Sequence, residues 1–118
     1  MNREEILALM PKQYEFHQLS LTDRKITCEN LVEDVIRKIK SEHRNPTKWE
    51  IDALSQAIAQ IFFGRYFYSL HEIYLSLMKS DEVARPDHWW RETDDITLQK
   101  LEDSLAYVKE APPVEIKS

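Results

Sequence analysis

A single glycine, Gly64, is the feature that most restricts what this 118-residue chain can fold into. β-Hairpin turns usually place glycine at a positive φ angle, so one glycine leaves little scope for a sheet built from tight turns. The sequence is instead rich in Glu, Lys, Leu, Ile and Gln, which tolerate or favour helix. We therefore predict an all-α fold, a compact bundle of helices joined by short polar links.

Four main helices and one minor helix follow from the capping residues and the apolar spacing. The main helices are predicted over about 21–43, 48–64, 70–79 and 95–110, and the short N-terminal helix over 2–10, before Pro11. Ser20, Thr47 and Ser69 are each followed three residues later by an acidic residue, as in a capping box. The chain is predicted to form one domain, residues 1–111, with a flexible C-terminal tail at residues 112–118.

The second main helix is predicted to lie at the centre of the bundle, because residues 53–64 carry no charge. At about 100° per residue it presents two apolar stripes. A helix that is apolar on two sides is usually buried between neighbours. One stripe consists of Ile51, Leu54, Ile58, Ile61 and Phe62, and the other of Trp49, Ala53, Ala57, Phe63 and Phe67.

A break in this helical region is predicted between Gly64 and Ser69. A continuous helix would place Arg65 near the middle of the first stripe, where an unpaired charge is costly. Glycine is also a poor residue for a helix interior. The third main helix is therefore expected to begin after Ser69.

No residue pattern predicts a catalytic centre, a metal site or a cofactor. His71 and Glu72 begin like a zinc-hydrolase motif, but Leu75 stands where the second histidine of that motif would be. A metal site assembled from distant parts of the chain would need His71, Glu72, Asp87 and His88.

The single cysteine, Cys28, cannot form an intrachain disulfide, which fits a reducing compartment. It lies in the apolar stripe of the first main helix, where a buried thiol is normally inert. The N-terminal apolar run, residues 6–10, is too short for a signal peptide or a membrane span. We predict a cytoplasmic protein that does not contact a membrane.

The charge distribution argues against a nucleic-acid partner. The net charge is −5, whereas nucleic-acid-binding domains usually carry a basic face. One basic stretch is the exception, and its position at a helix C-terminus is also explained by the helix dipole. It consists of Arg37, Lys38, Lys40, His43, Arg44 and Lys48.

The aromatic residues give the strongest functional indication. Six of them lie within residues 62–74, and Trp89 and Trp90 are adjacent in a predicted connection. Neighbouring residues of a loop rarely both point inward, and exposed Trp and Tyr often anchor protein interfaces. The alternative is that both tryptophan rings cover the open end of the bundle.

The favoured hypothesis is a non-enzymatic interaction or adaptor protein that forms a homodimer and binds an unknown protein partner. Its predicted interface residues are Trp49, Phe63, Phe67, Trp89 and Trp90. A first alternative is a small-ligand-binding protein or an enzyme with an inter-helix pocket lined by Arg65, Tyr66, His71 and Tyr74. A second alternative is a nucleic-acid-binding protein that uses residues 37–48.

Overall fold

The computed structural model describes residues 3–43, 45–79 and 98–114. These residues form six α-helices and no strand, which confirms the all-α prediction. The helices are α1 (Arg3–Leu9), α2 (Gln13–His17), α3 (Leu21–Ser41), α4 (Lys48–Phe62), α5 (Tyr66–Lys79) and α6 (Leu98–Glu110). The five-residue helix α2 was not predicted. It brings the ring of Phe16 into the core.

Local capping sets the starts of the two longest helices. The Ser20 hydroxyl accepts a hydrogen bond from the Asp23 backbone N–H at 3.1 Å, and α3 begins at the next residue after Ser20. At the start of α4 the Thr47 hydroxyl accepts from the Glu50 N–H, and the Glu50 carboxylate accepts from the Thr47 N–H. The predicted capping box is confirmed in full at Thr47, whereas at Ser20 only the bond to the hydroxyl is present. Each satisfies N–H groups that have no partner inside the helix.

The predicted break between α4 and α5 is a Schellman motif centred on the only glycine. The Arg65 N–H donates to the Gln60 carbonyl at 2.7 Å, and the Gly64 N–H donates to the Ile61 carbonyl at 3.0 Å. Gly64 has a φ of 75°, which a residue with a Cβ adopts only at a cost. Space is also short, because a Cβ at this position would lie 2.7 Å from Cβ of Val114. The break leaves Arg65 exposed rather than in the core.

Helix α5 begins earlier than the sequence predicts, at Tyr66 instead of about residue 70. The predicted capping box at Ser69 is wrong, because Ser69 lies inside the helix and is fully buried. Its hydroxyl donates to the Tyr66 carbonyl at 2.6 Å instead of receiving a bond from a later N–H. The break therefore spans only residues 63–65.

The core is shared by α3 and α4, each of which packs against α5 and α6 as well as against the other. In α4 the predicted stripe is buried up to Ile61, whereas Phe62 is exposed. On the other predicted stripe Ala53 and Ala57 are also buried, whereas Phe63 and Phe67 are exposed, so the prediction of a second buried face holds only in part. The α3 side of the core consists of Cys28, Leu31, Val32, Val35, Ile36 and Ile39.

Helices α5 and α6 each contribute one apolar stripe to the core. Helix α6 buries Leu101, Leu105 and Val108, as their spacing predicts. Helix α5 buries Leu70 and Ile73. Tyr74 and Met78 of α5 are exposed.

Candidate functional site

The most prominent apolar surface among the described residues is a depression between α4 and α6, here named the aromatic groove. Phe62, Phe63 and Tyr107 form its rim and are 43%, 64% and 67% exposed. The groove has a volume of about 620 Å³. Its floor and walls include Ser55, Ile58, Ala59, Leu101, Ser104 and Val108.

The rim aromatics of this groove are in mutual contact. The rings of Phe62 and Tyr107 stack with centroids 6.1 Å apart, and Phe63 meets Phe62 edge to face at 5.2 Å. These arrangements are favourable for aromatic pairs, so the rings hold one another in place although they are exposed. A pre-ordered aromatic rim around an apolar depression is the kind of surface that a protein partner covers.

The predicted interface residues do not form one surface. Phe63 belongs to the aromatic groove, whereas Phe67 contacts His17 and Tyr68 on the side of the molecule formed by α2 and α5. Trp49 is half-buried near the start of α4. Trp89 and Trp90 lie outside the described residues. The sequence pattern missed Tyr107, because the aromatic partner of Phe62 comes from a helix that is distant along the chain.

The predicted pocket residues are divided between two cavities. His71 and Tyr74 stack on each other with centroids 6.4 Å apart and line a cavity of about 390 Å³ beside α2. Arg65 and Tyr66 line a different cavity of about 310 Å³. The Tyr66 hydroxyl accepts a hydrogen bond from the Val114 N–H at 3.0 Å, which ties the residues after α6 to the start of α5. Burial raises the pKa of Tyr66.

A buried polar cluster lies where α3 packs against α5 and α6. Lys25 and Glu29 are only 5% and 4% exposed, and the Lys25 ammonium lies 3.2 Å from the nearer Glu29 oxygen. The same ammonium donates to the Lys109 carbonyl at 3.3 Å. The Cys28 thiol donates to the Tyr66 carbonyl at 3.1 Å. Each of these buried groups has a partner, which is the condition for tolerating them in a core.

The Cys28 thiol is held in its neutral form. Burial raises its pKa to about 12, the Glu29 charge acts in the same direction, and a hydrogen bond with Ser69 opposes them. We therefore expect no reaction with a thiol reagent such as DTNB at pH 8 in the folded protein, and rapid reaction in guanidinium chloride. Stoichiometric labelling of the native protein at the rate of the unfolded one would contradict this.

The basic stretch of α3 is largely occupied by acidic partners. The Arg37 guanidinium binds the carboxylates of Glu33 and Asp34, and Lys109 also binds Glu33 and lowers the pKa of its carboxyl group. Two further pairs are Lys40 with Glu102 at 2.8 Å and Lys38 with Glu42 at 3.7 Å. A phosphate group would have to compete with these carboxylates for the lysine and arginine side chains. Arg44 lies outside the described residues.

The described residues contain neither a cluster of metal ligands nor a helix that could span a membrane. No group of three or more His, Cys, Asp or Glu side chains there could hold a metal ion. Asp87 and His88, which a metal site assembled with His71 would need, lie outside the described ranges. None of the helices in these ranges combines the length and the hydropathy required to span a bilayer.

Comparison with known proteins identifies no relative. No protein-family model, no curated protein sequence and no solved structure matches the chain.

Proposed function

We propose that this protein is a non-enzymatic cytoplasmic interaction protein that forms a homodimer through the aromatic groove. In this proposal α3 to α6 act as one four-helix bundle with an open face between α4 and α6. The observation that carries the proposal is the exposure of three contacting aromatic rings, Phe62, Phe63 and Tyr107, around an apolar depression. Exposed apolar patches of this kind are typical of interaction sites.

A second copy of the chain is the occupant that the groove fits best. One surface carries both projecting rings, Phe63 and Tyr107, and a depression beside them, so two copies related by a twofold axis can insert rings into each other. The groove is also lined by one basic and one acidic residue, Lys100 and Asp103. Two such faces meet without net repulsion, although the chain as a whole carries a charge of −5.

Light scattering coupled to size exclusion tests the homodimer. We expect a mass of about twice the 14.1 kDa of the chain. Replacing Phe63 and Tyr107 together by Ser should give a folded monomer, because the two rings are exposed in the protomer and buried only on association. Circular dichroism and a melting curve establish that the variant is folded.

The matched control replaces another exposed Phe and Tyr, Phe67 and Tyr68, by Ser and should leave the dimer intact. A third variant, in which Trp89 and Trp90 are replaced by Ser, tests the adjacent tryptophans that the sequence singles out. A monomeric wild type at millimolar concentration would refute the homodimer. Loss of the dimer in the tryptophan variant, with the groove variant still dimeric, would refute the groove as the interface.

A further inference from the structure

A second surface feature, not used by the proposed dimer, lies where α2, the start of α3 and the start of α5 meet. This corner cavity has a volume of about 310 Å³, at the lower end of the range found for small-ligand pockets. It shares no lining residue with the aromatic groove. The residues that matter for its chemistry are Phe16, His17, Arg24, Arg65, Phe67 and Tyr68.

The lining of the corner cavity is cationic in an acidic protein. Arg24 and Arg65 line it together with His17, and no Asp or Glu of the described part of the chain does, although the sequence contains 21 acidic residues. The first turn of α5, which borders the cavity, also has no acidic residue. The positive end of the helix dipole therefore adds to the arginine charges there instead of being neutralised.

Contacts within the protein fix the position of the Arg24 guanidinium group but occupy only some of its N–H donors. Its Nε atom donates to the Leu19 carbonyl at 3.1 Å, and its Nη2 atom donates to the His17 carbonyl at 2.7 Å. Its guanidinium carbon lies 5.8 Å from the centroid of the Phe16 ring. A guanidinium has five N–H donors, so three of them are left for a ligand. Because its orientation is already fixed, little side-chain entropy is lost when an anion binds.

The other wall of the cavity is aromatic. The His17 and Phe67 rings lie 5.9 Å apart, and the Phe67 and Tyr68 rings lie 6.1 Å apart. Phe67 and Tyr68 are both partly exposed, so their faces and edges are accessible to a ligand ring. Flat rings of this kind stack on planar ligands.

We propose that the corner cavity binds an aryl phosphate, an aromatic ring that carries a phosphate monoester. The dianionic phosphate matches the two guanidinium groups, and arginine binds phosphate oxygens in a bidentate manner. The aromatic ring of the ligand packs on Phe67 and Tyr68. Two sources share this chemistry, a free small molecule and a phosphotyrosine side chain of a peptide.

The test is an NMR titration of the full chain with phenyl phosphate, inorganic phosphate and benzoate. We expect phenyl phosphate to shift the amide signals of His17, Phe67 and Tyr68 and to bind at least about tenfold more tightly than either other compound. Arg65→Gln should weaken phenyl phosphate binding about tenfold, because one charge-assisted contact is lost. Arg65 is exposed, so this substitution should leave the melting temperature unchanged.

Arg37→Gln is the matched control, because it makes the same charge change at an exposed arginine that does not line the cavity. It should leave the affinity for phenyl phosphate unchanged. No shift of the cavity signals with 10 mM phenyl phosphate would overturn the proposal, as would equal losses in Arg65→Gln and Arg37→Gln. Equal affinities for phenyl phosphate and inorganic phosphate would overturn the aryl part of it.

Titration with a peptide in which phosphotyrosine is flanked by alanines distinguishes the two sources of the aryl phosphate, a small molecule and a protein. Tighter binding of the peptide than of phenyl phosphate identifies a protein ligand. Equal binding identifies a small molecule, and both results support the aryl-phosphate site. All of these measurements follow residues outside the aromatic groove, so a failure of the dimer proposal leaves them interpretable.

Discussion

Glu29→Gln is expected to lower the free energy of unfolding by about 3–5 kcal/mol, which is the usual effect of breaking a buried ion pair. The substitution removes the counter-charge of the Lys25 ammonium, whose side chain is almost completely buried. The Lys109 carbonyl, 3.3 Å from that ammonium, supplies only a partial negative charge in its place. Urea-induced unfolding followed by circular dichroism measures the change.

Two further variants distinguish the cost of leaving one buried charge unpaired from the cost of removing the whole ion pair. Replacing Lys25 by Met and Glu29 by Leu together removes both charges, and should cost far less than the single substitution or even stabilise the protein. Glu102→Gln makes the same chemical change in the more exposed pair with Lys40, and should cost only about 0–1 kcal/mol. If Glu29→Gln and Glu102→Gln destabilise equally, the buried pair does not contribute as the structure indicates.

Leu54→Asp is expected to prevent folding altogether. Leu54 is only 1% exposed and lies in the core cluster that joins α3, α4, α5 and α6. A carboxylate there has no counter-charge in the cluster, and its burial costs more than a domain of this size can tolerate. We expect a loss of the cooperative melting transition measured by circular dichroism.

Phe63→Asp is the control for this core substitution, because Phe63 caps the C-terminal end of the same helix but is 64% exposed. It should change the melting temperature little and affect association instead. A Leu54→Asp protein with a normal melting curve would show that the face of α4 that carries Leu54 is not buried.

Features that depend on neighbouring residues could be predicted from the sequence. The caps at Ser20 and Thr47 involve residues three positions apart, and the break at Gly64 follows from one glycine beside one arginine. The same local rule failed at Ser69, because packing of α5 against α3 buries that residue and extends the helix. Local patterns contain no information about such packing.

The two candidate sites could be predicted from the sequence only in part, because each combines residues from helices that are distant along the chain. Phe63 could be selected from the aromatic cluster, but Tyr107 reaches the same groove, in contact with Phe62, only because α6 packs on α4. Arg65 could likewise be selected, whereas Arg24 is brought to the same cavity from α3. Helix α2 has only one apolar residue buried, Phe16, so its sequence shows no helical stripe.

The contact between Lys25 and the Lys109 carbonyl also has a consequence for synthesis on the ribosome. The two residues are 84 positions apart, so at 5–20 residues per second the carbonyl is made roughly 4–17 s after Lys25. The pair with Glu29, four residues away, can form within α3 during that interval, while water still solvates the ammonium. The ion pair within α3 can therefore form before α6 exists, whereas the bond from the Lys25 ammonium to the Lys109 carbonyl has to wait until α6 has been made.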